Sequence, residues 1–429
     1  MRSRNRFTRR ARRLPARSTP FALRVICIAC LALSVCWRPN EAPCGPLRVA
    51  TYNASLNRSS AGRLISDLST PNNLPARRVA EVVQQVRPDI LLINEFDYDA
   101  NGDAARLFQE NYLSIGQNTT GVVTAPPIDY PFRFVAPSNT GVSSGVDFDG
   151  NGSTDDYGFG NFPGQFGMAV YSRFPVLISQ SRTFQTFLWK DMPGHRIPAN
   201  YTQDGIDNAR LSSKSHWDLS IDVDGQRVHL LASHPTPPVF DSPVFDENGR
   251  RNADEIRFWT DYIDPASSGY IYDDMGVIGG LSDGDRFVVV GDFNSDPFDG
   301  DSLPGAADQL LDSPLVNTSL VPASAGGVED SILEGGINDT HLGDPAHDTA
   351  DFAAPGNLRV DYALPSANMT LLGGGVFWPT RDNPLAAPAF GASDHRLVFV
   401  DISVPEPPAG TLVWLALALA AWPNRRFLQ

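Results

Sequence analysis

Several apolar runs in this chain finish on residues whose side chains can do chemistry. Asn53 follows LRVATY, Glu95 follows DILLIN, and His234 follows HLLAS. Asp292 and Asn294 follow FVVVG with Phe293 between them. A polar group at the end of a buried strand is costly unless it has a partner. Ligand sites of α/β sheets also gather at strand ends. One such residue is compatible with a satisfied buried group; four such strand ends predict a shared polar centre. Carboxylates and amides, with few His and no Cys among them, suit a hard, oxygen-preferring cation such as Mg2+ or Mn2+. An ion of that kind keeps water and recruits phosphate oxygens. Two His are left for proton or charge work on a phosphoryl group.

The elements that must position these residues alternate along 47–403. Leu47–Asn53 reads as a strand. Arg77–Val86 has helical apolar spacing at Val79, Val82, Val83 and Val86, closed by Pro88. Asp89–Glu95 is a near-continuous apolar run, expected for a strand buried on both faces. Met168–Tyr171, Val228–His234 and Phe287–Asn294 read alike, so Asp292 and Asn294 are expected on one face of a strand end. Asn252–Ile263 reads as a helix, and Arg359–Leu364 and Arg396–Ile402 as the last strands. Residues 115–165, 191–212 and 320–357, rich in Gly, Pro, Asn and Asp, read as loops or insertions that carry specificity. No internal repeat or linker divides 47–403.

Seven blocks stand in one order: TYN at 51–53, Glu95 ending its strand, SRFP at 172–175, His234-Pro235, GDFN at 291–294, RVDY at 359–362 and SDH at 393–395. Together they resemble the endonuclease/exonuclease/phosphatase superfamily. The resemblance covers residues 47–403. It implies an α/β fold, the DNase I-like four-layer sandwich of two packed, mostly antiparallel β-sheets flanked by helices. It further implies a divalent-metal-dependent phosphoesterase in which an activated water attacks phosphorus in line. By resemblance, Asn53, Glu95 and Asp394 bind or support the metal, with Glu95 the foremost direct ligand. Asp292 orients or deprotonates the water, and Asn294 steadies the phosphate. His395 contacts the scissile phosphoryl group, Asp361 hydrogen-bonds that His, and His234 lies beside the leaving group or phosphate.

Other signals are weaker. Arg210, Lys214 and His216 in ARLSSKSHWD, and Arg250 and Arg251 in NGRRN, are candidates for holding substrate phosphate; an exposed polar strand explains the first group equally well. Asp147, Asp149, Asn151, Ser153 and Asp155 fall at the offsets of a Ca2+ loop, with Gly152 at its turn. Position 12 is Gly158 rather than Glu, so the choice is between a shorter structural Ca2+ site and a solvated acidic turn.

The net charge is −15. Residues 1–46 contribute +9 and 404–429 contribute +1, which leaves −25 on 47–403. Such a body has no global attraction for nucleic acid, so an anionic substrate must be met by local cations or metal. All four Cys lie before residue 47, which excludes a disulfide framework, a zinc thiolate site and a Cys nucleophile from the body.

The ends read as addresses. Residues 1–20 are Arg-rich and lack acids, and FALRVICIACLALSVC follows at 21–36. Basic then apolar is the layout of a secretory signal. Residues 404–429, VPEPPAGTLVWLALALAAWPNRRFLQ, resemble the PEP-CTERM sorting signal of exported bacterial proteins. The apolar run is about a dozen residues, shorter than the ~20 of a spanning helix. The expected organisation is a leader (1–46), one catalytic domain (47–403) and a sorting tail (404–429). The expected location is the exterior or envelope of a bacterium, with the tail either attaching the protein there or serving as a processed signal. The substrate class expected is a phosphate ester: nucleic acid, phospholipid or small ester. No protein partner is inferred. The competing reading is an inactive surface-binding or scaffold protein on the same fold.

Overall fold

A computed structural model describes residues 46–404; apart from Pro46 and Val404 at their borders, the expected leader and sorting tail lie outside the described residues. In chain order the strands are β1 (Leu47–Asn53), β2 (Ile90–Asn94), β3 (Phe132–Phe134), β4 (Met168–Ser172), β5 (Arg182–Thr183), β6 (His216–Val223), β7 (Gln226–Ser233), β8 (Phe287–Asp292), β9 (Ala350–Asp351), β10 (Asn357–Leu358), β11 (Asp361–Pro365), β12 (Thr370–Val376) and β13 (Val398–Ser403). The longer helices are α1 (Leu74–Val86), α2 (Glu247–Tyr262) and α3 (Ala325–Glu334). The larger sheet has the order β12-β13-β1-β2-β4-β3, the second β11-β8-β7-β6-β5, and β10-β9 form a two-stranded sheet.

The near-continuous apolar strands follow from burial on both faces. Val49, Ile90 and Leu92 of the first sheet pack against Trp217, Leu219, Leu230, Val288 and Val290 of the second. Their neighbours Ala50, Tyr52, Leu91 and Ile93 point the other way, onto Val79, Val82, Val83 and Val86 of α1. On the second sheet Phe287 and Val289 turn outward onto Ile256, Phe258, Trp259 and Tyr262 of α2. The result is four layers, helix–sheet–sheet–helix.

Each of the two large sheets has one parallel pair among its described strands, β1 with β2 and β7 with β8, while β9 and β10 form a separate antiparallel pair. Parallel neighbours need a crossover, and α1 and α2 supply the two. Parallel strands also end at a common edge. Asn94 joins the two edges: its Nδ2 donates to Ser233 O at 3.3 Å, and its Oδ1 accepts from Asp292 N at 3.4 Å. The polar residues after β1, β2, β7 and β8 therefore meet.

Some elements depart from expectation. Helix α1 begins three residues early, because Asn73 caps Ala76 N at 3.1 Å and Pro75 sits where a helix tolerates it. The stretch 320–357 is not all loop: Ser324 caps α3 despite its two Gly. Strand β3 lies inside 115–165, and a short helix, Gln203–Asn208, lies inside 191–212. Among the described residues no helix is long and apolar enough to cross a membrane.

Candidate active site

Asp292 is the hub. It ends β8 after Gly291, whose backbone runs so close to β7 that a Cβ there would lie 2.1 Å from Ser233 O. That approach inserts the Asp292 carboxylate among three elements. Its Oδ2 accepts from Asn53 Nδ2 at 3.0 Å and faces His234 Nε2 at 3.3 Å and His395 Nε2 at 3.7 Å. Its Oδ1 accepts from Asn294 N at 2.9 Å. Burial opposes the charge, but His395 and His234 outweigh it and hold the carboxyl well below the usual range.

Strand register supplies the second carboxylate. Asp361 at the start of β11 lies opposite Asp292. Its Oδ2 accepts from His395 Nδ1 at 2.9 Å, so the imidazole stands between two carboxylates. Burial opposes charge on His395, yet Asp361 and Asp292 raise its pKa to about 10. Burial pushes Asp361 up to about 6 against the pull of His395. At neutral pH the pair is imidazolium and carboxylate. Ser393 Oγ fixes the turn: it accepts from His395 N at 3.1 Å and donates to Asn53 O at 2.8 Å.

Glu95 and Asn294 are not strand residues. Strands β2 and β8 stop at Asn94 and Asp292, and Glu95 and Asn294 adopt left-handed backbones with φ of 57° and 52°. The strand-alternation reading of Asp292 and Asn294 is thus corrected; a turn brings Asn294 round, and its Nδ2 donates to Pro235 O at 3.2 Å. Glu95 Oε1 accepts from Asn53 Nδ2 at 3.2 Å and Oε2 from Asn57 Nδ2 at 2.7 Å. Asn53 therefore turns its amide N–H toward the carboxylates and steadies them. Ser55 Oγ donates to Asp394 Oδ1 at 3.3 Å.

One buried group, Asp292, Asp361 and His395, brings potential ligand atoms within 4.8 Å of one another. His395 and Asp361 are already spent on each other. Glu95, Asp301 and Asp394 also present carboxylates to the cavity that Asp292 lines, and of these Glu95 is tied to Asn53, which hydrogen-bonds Asp292. Those hard oxygen donors fit a divalent ion that keeps some of its water.

The sequence profile of the Endonuclease/Exonuclease/phosphatase family matches residues 50–395. The chain belongs to this family. No sequence match to a curated protein is found. Among solved structures, an endonuclease/exonuclease/phosphatase from Beutenbergia cavernae DSM 12333 is 18% identical, with a TM-score of 0.48, over 85% of this chain and 73% of that one. A mannosyl-6-phosphatase from Bacteroides thetaiotaomicron VPI-5482 is 13% identical, with a TM-score of 0.42, over 83% and 100%. Sphingomyelinase C from Streptomyces griseocarneus is 14% identical, with a TM-score of 0.43, over 83% and 99%.

In this family member the centre opens into two lobes that share Glu95, His234, Pro237, Val239 and Phe240. One, of 490 Å3, is lined by Asp292, Asn294, Asp394 and His395 together with apolar residues. The other, of 350 Å3, is lined by Lys214, Arg251, Thr140, Phe159 and Phe166. A shallower depression of 580 Å3 at Asp261, Asp264, Asp308 and Asp312 shares no residue with either.

The structure sorts the remaining candidates. Lys214 is buried rather than on an exposed strand; its Nζ donates to Pro235 O at 3.3 Å and burial lowers its pKa. Arg210 is absent from the residues lining both lobes: its guanidinium donates to Asn139 Oδ1 at 2.7 Å and lies over the Tyr157 ring. His216 is a core residue against Phe258 and Trp259, with Nε2 3.0 Å from Glu255 O. Arg251 reaches the second lobe while donating to Leu211 O at 2.8 Å and Tyr157 O at 2.5 Å. Arg250 donates to Phe245 O at 2.8 Å, outside both lobes. His234 Nδ1 is buried without a hydrogen-bond partner. Asp147, Asp149 and Asp155 do bring carboxylate oxygens within 4.8 Å, while Asn151 Oδ1 is occupied by Ser153 N at 2.8 Å. Asn57, Asn94 and Ser393 were not singled out from sequence. Ser393 lay inside the SDH block, but nothing in spacing marked the other two.

Proposed function

We propose that the protein is a divalent-metal-dependent phosphoric ester hydrolase. The observation that carries this is the Asp292 carboxyl, buried between two imidazoles, with one of them locked by Asp361. Glu95 and Asp394 would hold the ion, with Asn53 steadying Glu95. A bound divalent cation would neutralise charge on the phosphate. Asp292 orients a water and takes its proton as the water oxygen bonds to phosphorus. The opposite P–O bond breaks, and the leaving oxygen takes a proton from solvent. His395, already charged, stabilises the phosphoryl oxygens as their charge grows. Asn294 and His234 hold the phosphate in line.

The test is release of phosphate or alcohol by the full chain, stripped with EDTA and then given Mg2+, Mn2+ or Ca2+. Plasmid DNA, RNA, aryl phosphates, sphingomyelin and inositol phosphates form the panel. Turnover is expected only with metal, and a loss of at least about 100-fold in His395→Ala and Asp292→Asn. Turnover that persists in EDTA, or in both variants, would sink the reading. Absence of turnover on every substrate favours the inactive binding protein. Export rests on the sequence of the two ends, and cell fractionation tests it. Calcium in the 147–155 loop is tested by calorimetry before and after Asp147→Asn.

A further inference from the structure

The larger lobe is charged at its floor and apolar on its walls. Val239 and Phe240, on the segment that follows β7, stand where the two lobes meet, and Ile337, Phe352 and Leu358 line the larger lobe alone. The apolar surface begins at the reacting groups themselves, because the Phe352 ring meets His395 edge-on at 5.3 Å and 78°. Among the described residues no Lys or Arg lines this lobe, whereas Glu95, Asp292, Asp301 and Asp394 do. A polyanion gains nothing from such walls. Its volume, 490 Å3, lies in the range of small-molecule sites.

Phe240 supplies the second observation. Its side chain is 95% exposed at the mouth of the lobe. Its backbone is left-handed, with φ of 69°, which is strained for a bulky residue. The segment is nonetheless clamped from α2. Asn248 Nδ2 donates to Val239 O at 2.7 Å, and Asn252 Nδ2 donates to Thr236 O at 2.8 Å. A strained, solvated ring on a clamped segment has no role in packing.

We propose that this lobe is a subsite for the apolar part of a phosphate ester, an alkyl chain or aryl group, with Phe240 and Ile337 setting specificity at its mouth. This rests on the hydrolase reading above, so its test must survive the failure of that reading.

Two readouts separate them. Calorimetry with methyl- to octylphosphonate measures the subsite without turnover, and alkyl p-nitrophenyl phosphates of the same chain lengths measure hydrolysis with Mg2+. Affinity and kcat/KM are expected to rise about threefold per added methylene. In Phe240→Asn/Ile337→Ser the rise flattens while the methyl members are unchanged. Phe240→Asn suits the left-handed backbone and removes only an exposed ring, so the fold is kept. Affinity that ignores chain length, or an unchanged slope in the double variant, overturns the subsite. So does a kcat/KM on duplex DNA above that on the octyl ester. A slope in affinity with no hydrolysis of any ester upholds the subsite and overturns the hydrolase reading. Phosphatidylcholine vesicles distinguish the source: turnover there assigns the chain to a lipid, and turnover of soluble esters alone assigns it to a small molecule.

Discussion

Asp361 never touches the substrate in the proposed reaction, yet it governs His395. Replacing it with Asn keeps a partner for Nδ1 but removes the charge that offsets burial. Asp361→Asn is expected to cost about 10- to 1000-fold in kcat. The pH profile reports the cause. The active form carries charged His395, so activity falls as pH rises through the pKa of His395, and that fall moves to lower pH in the variant. An unmoved alkaline limb would show that Asp361 is structural only. His216 shows the opposite environment. Burial lowers its pKa to about 4, so the fold keeps it neutral while the unfolded chain protonates it near 6.5. The unfolded state binds more protons between those values. Relative to His216→Phe, the native chain should lose on the order of 3 kcal/mol of stability as pH falls from about 6.5 to 4. Denaturant melts at several pH values measure it.

Gly291 carries the element-scale consequence. A methyl group there meets the Ser233 carbonyl of β7, and relieving that clash requires opening the β7–β8 edge. Gly291→Ala should destabilise by about 2 kcal/mol or more and lower activity by displacing Asp292. Thermal melts and turnover together check it; an unchanged Tm would contradict the close approach. The strands around this edge were legible because burial on both faces leaves an uninterrupted apolar run. Strand β12 was not, since TLLGGGV puts three Gly where a strand normally has packing side chains. The site residues were legible as polar punctuation after apolar runs. The turns that deliver Glu95 and Asn294 were not, because a left-handed residue other than Gly leaves little mark in sequence. Exposure was not legible at Lys214 and His216: polar letters in SSKSHW suggest a solvated strand, while tertiary packing buries both, Lys214 beside the second lobe and His216 in the core.

At the scale of the molecule, residues 47–403 carry −25 and repel one another. Added monovalent salt should therefore raise the Tm, most steeply below about 0.1 M where screening is weakest. A falling Tm would mean that ion pairs such as Arg182–Asp273, at 2.7 Å, dominate instead. The fold's layers could be anticipated from the order of the seven blocks, but not which strands would be neighbours, since pairing partners lie far apart in the chain. The extreme case is β1, which pairs with β13 from Leu47↔Ile402 to Thr51↔Val398. During synthesis β1 emerges roughly 350 residues before its partner, a wait of about 20–70 s at ribosomal speeds. Through that interval one flank of the central strand stays open, a template for joining another chain. Birth of this protein is thus a timed hazard, and a message cut short before His395 yields a sticky fragment rather than a weakened enzyme.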